Sequence, residues 1–136
     1  IKKKKACRAL VDATVFLRCQ YVVEENIRLL RAVEHLRSGD SVAFGQQMYL
    51  SHEGLQHKFA VSCAELDLLV DVARSASGVH GARMMGGGFG GCTINLVADA
   101  ALEQFLEKAA KEFNKSFGKT PVVYEVAISD GARRLA

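Results

Sequence analysis

The sequence contains no run of apolar residues approaching the roughly 18 that a helix needs to span a bilayer, which excludes a membrane segment of that kind. It also lacks a secretory core. Lys2 to Lys5 could open a signal peptide, but Arg8 and Asp12 interrupt the apolar stretch that would have to follow. There is no CxxC pair. Cys7, Cys19, Cys63 and Cys92 stand apart among apolar neighbours, which predicts free, buried thiols in a reducing cytoplasm. The histidines His35, His52, His57 and His80 form no ligand pattern either. His52 and His57 are five residues apart and fall on different faces of a helix, so no metal site is expected.

Charge of one sign is scarce as well. The net charge is +3, yet without Lys2 to Lys5 the remaining 14 Lys and Arg face 15 Asp and Glu, a net of −1. The positive excess belongs to a terminal arm and not to a basic face, which argues against nucleic acid as a partner. An arm that opens on Ile1 without Met reads as cut from something longer. No repeat, low-complexity segment or internal boundary is visible. The expected organisation is a basic arm over residues 1–10 and one globular domain over 11–136, whose seven Phe and three Tyr suffice for one modest core.

Residues 11–36 read as one long helix. Val15, Cys19, Val22, Val23, Ile27, Leu30 and Val33 recur at three- and four-residue steps as a stripe to be buried. Arg18, Glu24, Glu25, Arg28 and Arg31 take the other face. Gly39 stops this helix, and a second follows over 42–53 with Phe44 and Met48 inward. Ser62-Cys63-Ala64-Glu65 fits a capping box for a third helix, with Leu66, Leu69, Val70 and Ala73 inward and Gly78 closing it. Strands are expected at 79–85 and 92–97, then a helix capped by Asp99 and ended by Gly118. A last strand is expected at 122–128, with Val122, Tyr124, Val126 and Ile128 on one face. With a further short strand at 58–61, the second half becomes βαββαβ. The expected fold class is therefore α+β: a ferredoxin-like split antiparallel sheet packed with helices and preceded by helices.

Five glycines crowd into Gly86-Gly87-Gly88-Phe89-Gly90-Gly91. A match to GxGxxG is present, but a strand follows where a dinucleotide fingerprint needs a helix, and Cys92 stands where a Walker loop needs lysine. Two readings remain. One is a flexible hairpin loop, for which one or two glycines would do. The other is a loop whose backbone approaches another surface closely and offers its amides to an anion, around an inward-looking Phe89.

Arg83-Met84-Met85-Gly86-Gly87-Gly88-Phe89-Gly90-Gly91-Cys92 resembles the third motif of the GHMP kinases in the form found in galactokinases, usually written RMTGGGFGGC. Ser51-His52-Glu53-Gly54-Leu55 is similar to the family's SHxSL, and Phe59 to Asp67 is similar to YEVSCPELD. Glu24 to Asn26, Leu36 to Asp40 and Asp130 to Arg133 also match, in order. Met85 replaces the usual threonine and removes a hydroxyl. Phe59, Ala60, Ala64 and Gly54 are further departures.

The resemblance implies the C-terminal domain of a kinase that transfers the γ-phosphoryl of ATP, with Mg2+, to the anomeric hydroxyl of galactose in the cytoplasm. Residues 86–91, supported by Arg83 and Met85, would form one wall of the nucleotide and sugar cleft. In this family the sugar signature, phosphate loop and catalytic aspartate lie in an N-terminal domain. None is found here, so the resemblance assigns no catalytic residue and implies that this chain alone is inactive. Its partners would be that domain, galactose and ATP, or a second copy if the isolated domain dimerises. Arg83 either contacts phosphate or braces the loop against Glu65 or Asp67, and His52 packs or caps. Another GHMP kinase, such as one for N-acetylgalactosamine, and a non-catalytic sugar sensor are the competing readings.

Overall fold

The computed structural model describes residues 10–129 and 131. Helix α1, Ala13–Arg37, begins at Asp12, whose carboxylate accepts from Thr14 N at 2.8 Å and Val15 N at 3.4 Å. These two bonds hold the Asp12 carboxyl below its ordinary value. Asp40 starts α2, Ser41–Gly54, in the same way, accepting from Ala43 N at 2.8 Å. The chain then widens into a π-helical turn, Leu55–Phe59, which ends on Ala60 at φ 59°. Next come α3, Ala64–Arg74, and the antiparallel strands β1, Val79–Met85, and β2, Cys92–Val97. A 3-10 turn, Asp99–Ala101, leads into α4, Leu102–Phe117. Gly118 closes α4 at φ 65°, donating to Asn114 O.

The core has two parts. Tyr49, Val70, Val72, Ala73, Ala82, Phe105 and Ala109 join α2, α3, β1 and α4. Tyr21, Leu55, Leu66 and Met84 join α1, the π-turn, α3 and the end of β1, with Phe59, Val61 and Cys63 against them. Full burial of side chains such as Leu66, Val70 and Met84 contributes about 1.5–3 kcal/mol each. Where α2 meets β1 the two backbones touch. A Cβ on Gly45 would stand 2.1 Å from His80 O, and one on Gly81 would stand 2.4 Å from Gly45 Cα. Glycine at both positions lets α2 press on β1 hard enough to carry His52 to the strand's end.

Several expectations from the sequence are corrected. The fold class stands as α+β with helices packed on an antiparallel sheet, but among the described residues that sheet has two strands. Residues 58–61 leave the π-turn instead of forming a strand. Residues 122–128 stand exposed without a ladder partner, Val122 at 75% and Ile128 at 103% exposure. An alternating pattern marks a face, and a strand also needs an edge to pair with. Helix α1 is turned the other way from the prediction. Val15, Val22, Val23, Ile27 and Leu30 are exposed, while Glu24, Glu25 and Arg28 sit partly buried beside Tyr21.

The capping box is absent, because Cys63 and not Ser62 is the N-cap; Ser62 Oγ reaches forward to Asp67 instead. Asp99 begins the 3-10 turn and makes no side-chain cap. Cys19 and Cys92 are exposed thiols and Cys63 is half-buried, against the expectation of burial. Residues 1–9 of the basic arm, Cys7 among them, and the matching residues Asp130, Ala132 and Arg133 lie outside the described residues.

Candidate functional site

β1 and β2 pair from Val79↔Val97 to Met85↔Cys92, so the glycine segment is the connection at the open end of the hairpin. Its backbone explains most of its glycines. Gly86, Gly88, Gly90 and Gly91 have φ of 85°, 89°, 138° and 102°, values that side chains with a Cβ rarely adopt. Phe89 holds φ 57° without being glycine, a conformation costing about 1–2 kcal/mol for an ordinary residue. Its ring is 77% exposed, so the expected inward-looking aromatic points outward. A bulky side chain stays in that conformation only where the surroundings fix the backbone. Here Phe89 N donates to Val61 O at 2.8 Å, and a Cβ on Gly88 would meet the same oxygen at 2.2 Å.

Gly87 is the exception. Its φ lies outside the left-handed range, and a Cβ there would meet nothing within 4 Å. Neither conformation nor packing within this domain requires glycine at that position. Gly86 and Gly90 likewise face open space, and no backbone hydrogen bond among the described residues engages the amides of Gly86, Gly87 or Gly90. The crown of the loop thus offers free N–H groups and room for a close neighbour. That arrangement suits the oxygens of an anion such as phosphate. Residues 86–91 are glycines and one phenylalanine, so the loop has no side-chain oxygen to offer Mg2+.

Behind the loop lies a polar frame. His52 is 3% exposed. Its Nδ1 accepts from Met84 N at 3.2 Å, and its Nε2 lies 3.2 Å from Asp67 Oδ1, near enough for attraction though not aligned as a hydrogen bond. Burial pushes the His52 pKa below its ordinary value, and Asp67 opposes that only in part. Asp67 also accepts from Ser62 Oγ and from Gln56 Nε2 at 2.8 Å.

Arg83 pairs with neither Glu65 nor Asp67. Its Nε donates to Met84 O at 3.0 Å and its Nη1 lies 3.6 Å from Glu25 Oε1. Glu25 in turn accepts from Ser51 Oγ at 2.5 Å and pairs with Arg28. The arginine therefore ties β1 to α1, and its contacts are those of a brace. Met85 is half exposed at the loop's entrance, where it pairs with Cys92.

Arg83, Met85 and residues 86–91 lie at one end of the hairpin. The sequence did not mark Val61, Ser62 or Glu25 as parts of this site. Their only signal was membership in the matching segments around residues 24–26 and 59–67. A groove of about 490 Å³ between α4 and the turn that follows α3, lined by Ser75, Phe105, Lys108 and Lys111 among others, shares no residue with the loop. The loop is an open surface in this domain and becomes a cleft only when something faces it.

The chain matches the family described as GHMP kinases C terminal over residues 29–115. It is 43% identical over 131 residues to the galactokinase of Clostridium beijerinckii, covering 96% of this chain and 33% of that protein. Human galactokinase is 40% identical over 135 residues, covering 99% and 33%. The crystal structure of Lactococcus lactis galactokinase complexed with galactose superposes with a TM-score of 0.82 at 33% identity, covering 88% of this chain and 31% of that one. The chain therefore spans about a third of the length of the relatives it matches. A hairpin that projects a glycine loop from a helical frame, together with a family match across more than half of its residues, shows that this chain belongs to the C-terminal domains of the GHMP kinases.

Proposed function

We infer that residues 11–136 form the C-terminal domain of a galactokinase, the cytoplasmic enzyme that moves the γ-phosphoryl of ATP to galactose. The observation that carries this reading is the glycine at position 87, which nothing inside the domain requires and which stands beside unengaged amides. A closely approaching partner explains it. In this reading the partner is the catalytic domain with bound ATP, for which galactokinase relatives two to three times longer than this chain give the precedent. Phosphoryl transfer depends chiefly on positioning and charge stabilisation, which a backbone cradle can supply.

Each part of the site then has a role. Gly86, Gly87 and Gly90 offer amides to phosphate or to the phosphate-binding segment opposite. Phe89 projects toward that segment, and Arg83 braces the strand that carries the loop. Met85 supplies no hydroxyl at the entrance. ATP brings the phosphoryl group, and in this reading ATP and Mg2+ would both be bound mainly by the N-terminal domain. The exposed apolar face of α1 (Val15, Val22, Leu29 and Leu36, seven residues apart) is a second surface for the catalytic domain to cover.

The test is galactose-dependent ADP release, measured on this chain alone and on the complete protein that carries it. Release by the complete protein only is expected. A folded complete protein that releases ADP with N-acetylgalactosamine and not with galactose, or with neither sugar, would overturn the reading.

A further inference from the structure

The glycine loop cannot hold its own shape. Gly86, Gly87 and Gly90 have no neighbour within 4 Å of where a Cβ would stand, and the Phe89 ring is exposed. Its anchors lie at two other points. At the entrance, Met84 N donates to His52 Nδ1 on α2, at 3.2 Å. At the crown, Phe89 N donates to Val61 O at 2.8 Å.

These two anchors are joined behind the loop. His52 Nε2 is 3.2 Å from Asp67 Oδ1, Asp67 accepts from Ser62 Oγ, and Ser62 follows Val61 directly. The path from Met84 through His52, Asp67, Ser62 and Val61 to Phe89 closes on the loop. Because Nδ1 accepts a backbone proton, a neutral ring carries its own proton on Nε2, toward the carboxylate. That proton attracts the Asp67 carboxylate and keeps ring and carboxylate side by side without an aligned hydrogen bond, as supporting partners behind a functional site commonly do. The Gln56 amide, 2.8 Å from Asp67 Oδ2, occupies the second carboxylate oxygen and leaves Oδ1 to His52 and Ser62.

The geometry assigns to His52 and Asp67 the role of positioning residues, which set the shape of the glycine loop from behind without touching substrate. The assignment rests on the function proposed above for its effect on turnover, but not for its effect on the loop itself. Neither side chain reaches the crown, so neither is a catalytic residue.

The complete protein tests this by hydrogen exchange over residues 84–91 beside steady-state kinetics. His52→Asn keeps an acceptor near the place of Nδ1, whereas His52→Gln moves the amide out toward Nε2. Exchange in the Asn variant should stay within about twofold of the parent, and in the Gln variant should quicken about tenfold, the scale of one lost hydrogen bond. The kcat of the Gln variant should fall by a similar factor, with KM for galactose little changed and activity recovered in the Asn variant.

Equal exchange in the two variants would overturn the assignment, as would a Gln variant whose loop stays protected while kcat falls. Should the Gln variant not fold, Ser62→Ala decides: it should quicken exchange at Phe89 several-fold, and unchanged exchange there overturns the assignment. A parent protein without galactose-dependent ADP release would refute the proposed function alone, because the exchange comparison does not depend on turnover.

Discussion

Gly88 lies so close to Val61 that a Cβ on it would stand 2.2 Å from the Val61 carbonyl oxygen, the same oxygen that accepts the Phe89 amide at 2.8 Å. The crown of the loop is thus seated on the segment that enters α3, and side-chain volume at this point would lift it off. Gly88→Ala in the complete protein should lower kcat at least about 100-fold, the effect expected when groups aimed at a phosphoryl transition state are displaced. Turnover within about threefold of the parent, in a folded variant, would remove the loop from the active site.

Gly87 provides the contrasting substitution. Since its backbone is ordinary and its surroundings open, Gly87→Ala should change the melting temperature of the chain on its own by no more than about 2 °C, the size of a neutral surface substitution. In the complete protein the same change should raise KM for ATP or lower kcat by about tenfold or more, as a methyl group enters a close contact. Unaltered kinetics would mean that nothing approaches this position.

The contact between α2 and β1 predicts a purely structural effect. Gly81→Ala would place its Cβ 2.4 Å from Gly45 Cα, backbone against backbone, where no side chain can yield. Urea denaturation should show a loss of about 3 kcal/mol, at the upper end of overpacking. A loss below about 1 kcal/mol would show that helix and strand can part without cost.

His52 should make stability depend on pH. Its folded pKa lies below the ordinary 6.5, because burial disfavours the cation more than the Asp67 and Asp71 carboxylates favour it, with the Arg74 guanidinium opposing too. The unfolded chain then binds a proton that the folded chain refuses, so stability is full above pH 6.5 and is lost as pH falls from there toward the folded value. Thermal melting between pH 7.5 and 5.5 should show this decline, and His52→Asn should flatten it. An equal slope in parent and variant would assign the decline to other groups.

The outer face of α1 predicts association. Val15, Val22, Leu29 and Leu36 are 47–62% exposed at seven-residue intervals. The chain alone should sediment with a concentration-dependent mass, and Leu29→Glu should make it monomeric by placing a charge in the apolar contact. In the complete protein the same substitution should lower the melting temperature, because the face is then covered. A chain that remains monomeric at all concentrations would count against an apolar contact there.

Much of this architecture was legible in the sequence, and for local reasons. Gly39 and Gly118 end helices at positive φ, and the strands expected at 79–85 and 92–97 pair as a hairpin. The glycine cluster announced a special loop, because a run of positive φ values selects glycine whatever surrounds it. What the sequence could not decide was who faces whom. The apolar stripe of α1 was clear, but not that it would stay uncovered while Glu25 and Arg28 turned inward. Alternation at 122–128 did not create a strand, because a ladder needs an edge supplied by other residues. Only the tertiary structure joined His52 to Met84 and Asp67, and Val61 to Phe89. Those bonds link residues far apart in the chain, and their geometry depends on how closely two glycines let α2 approach β1.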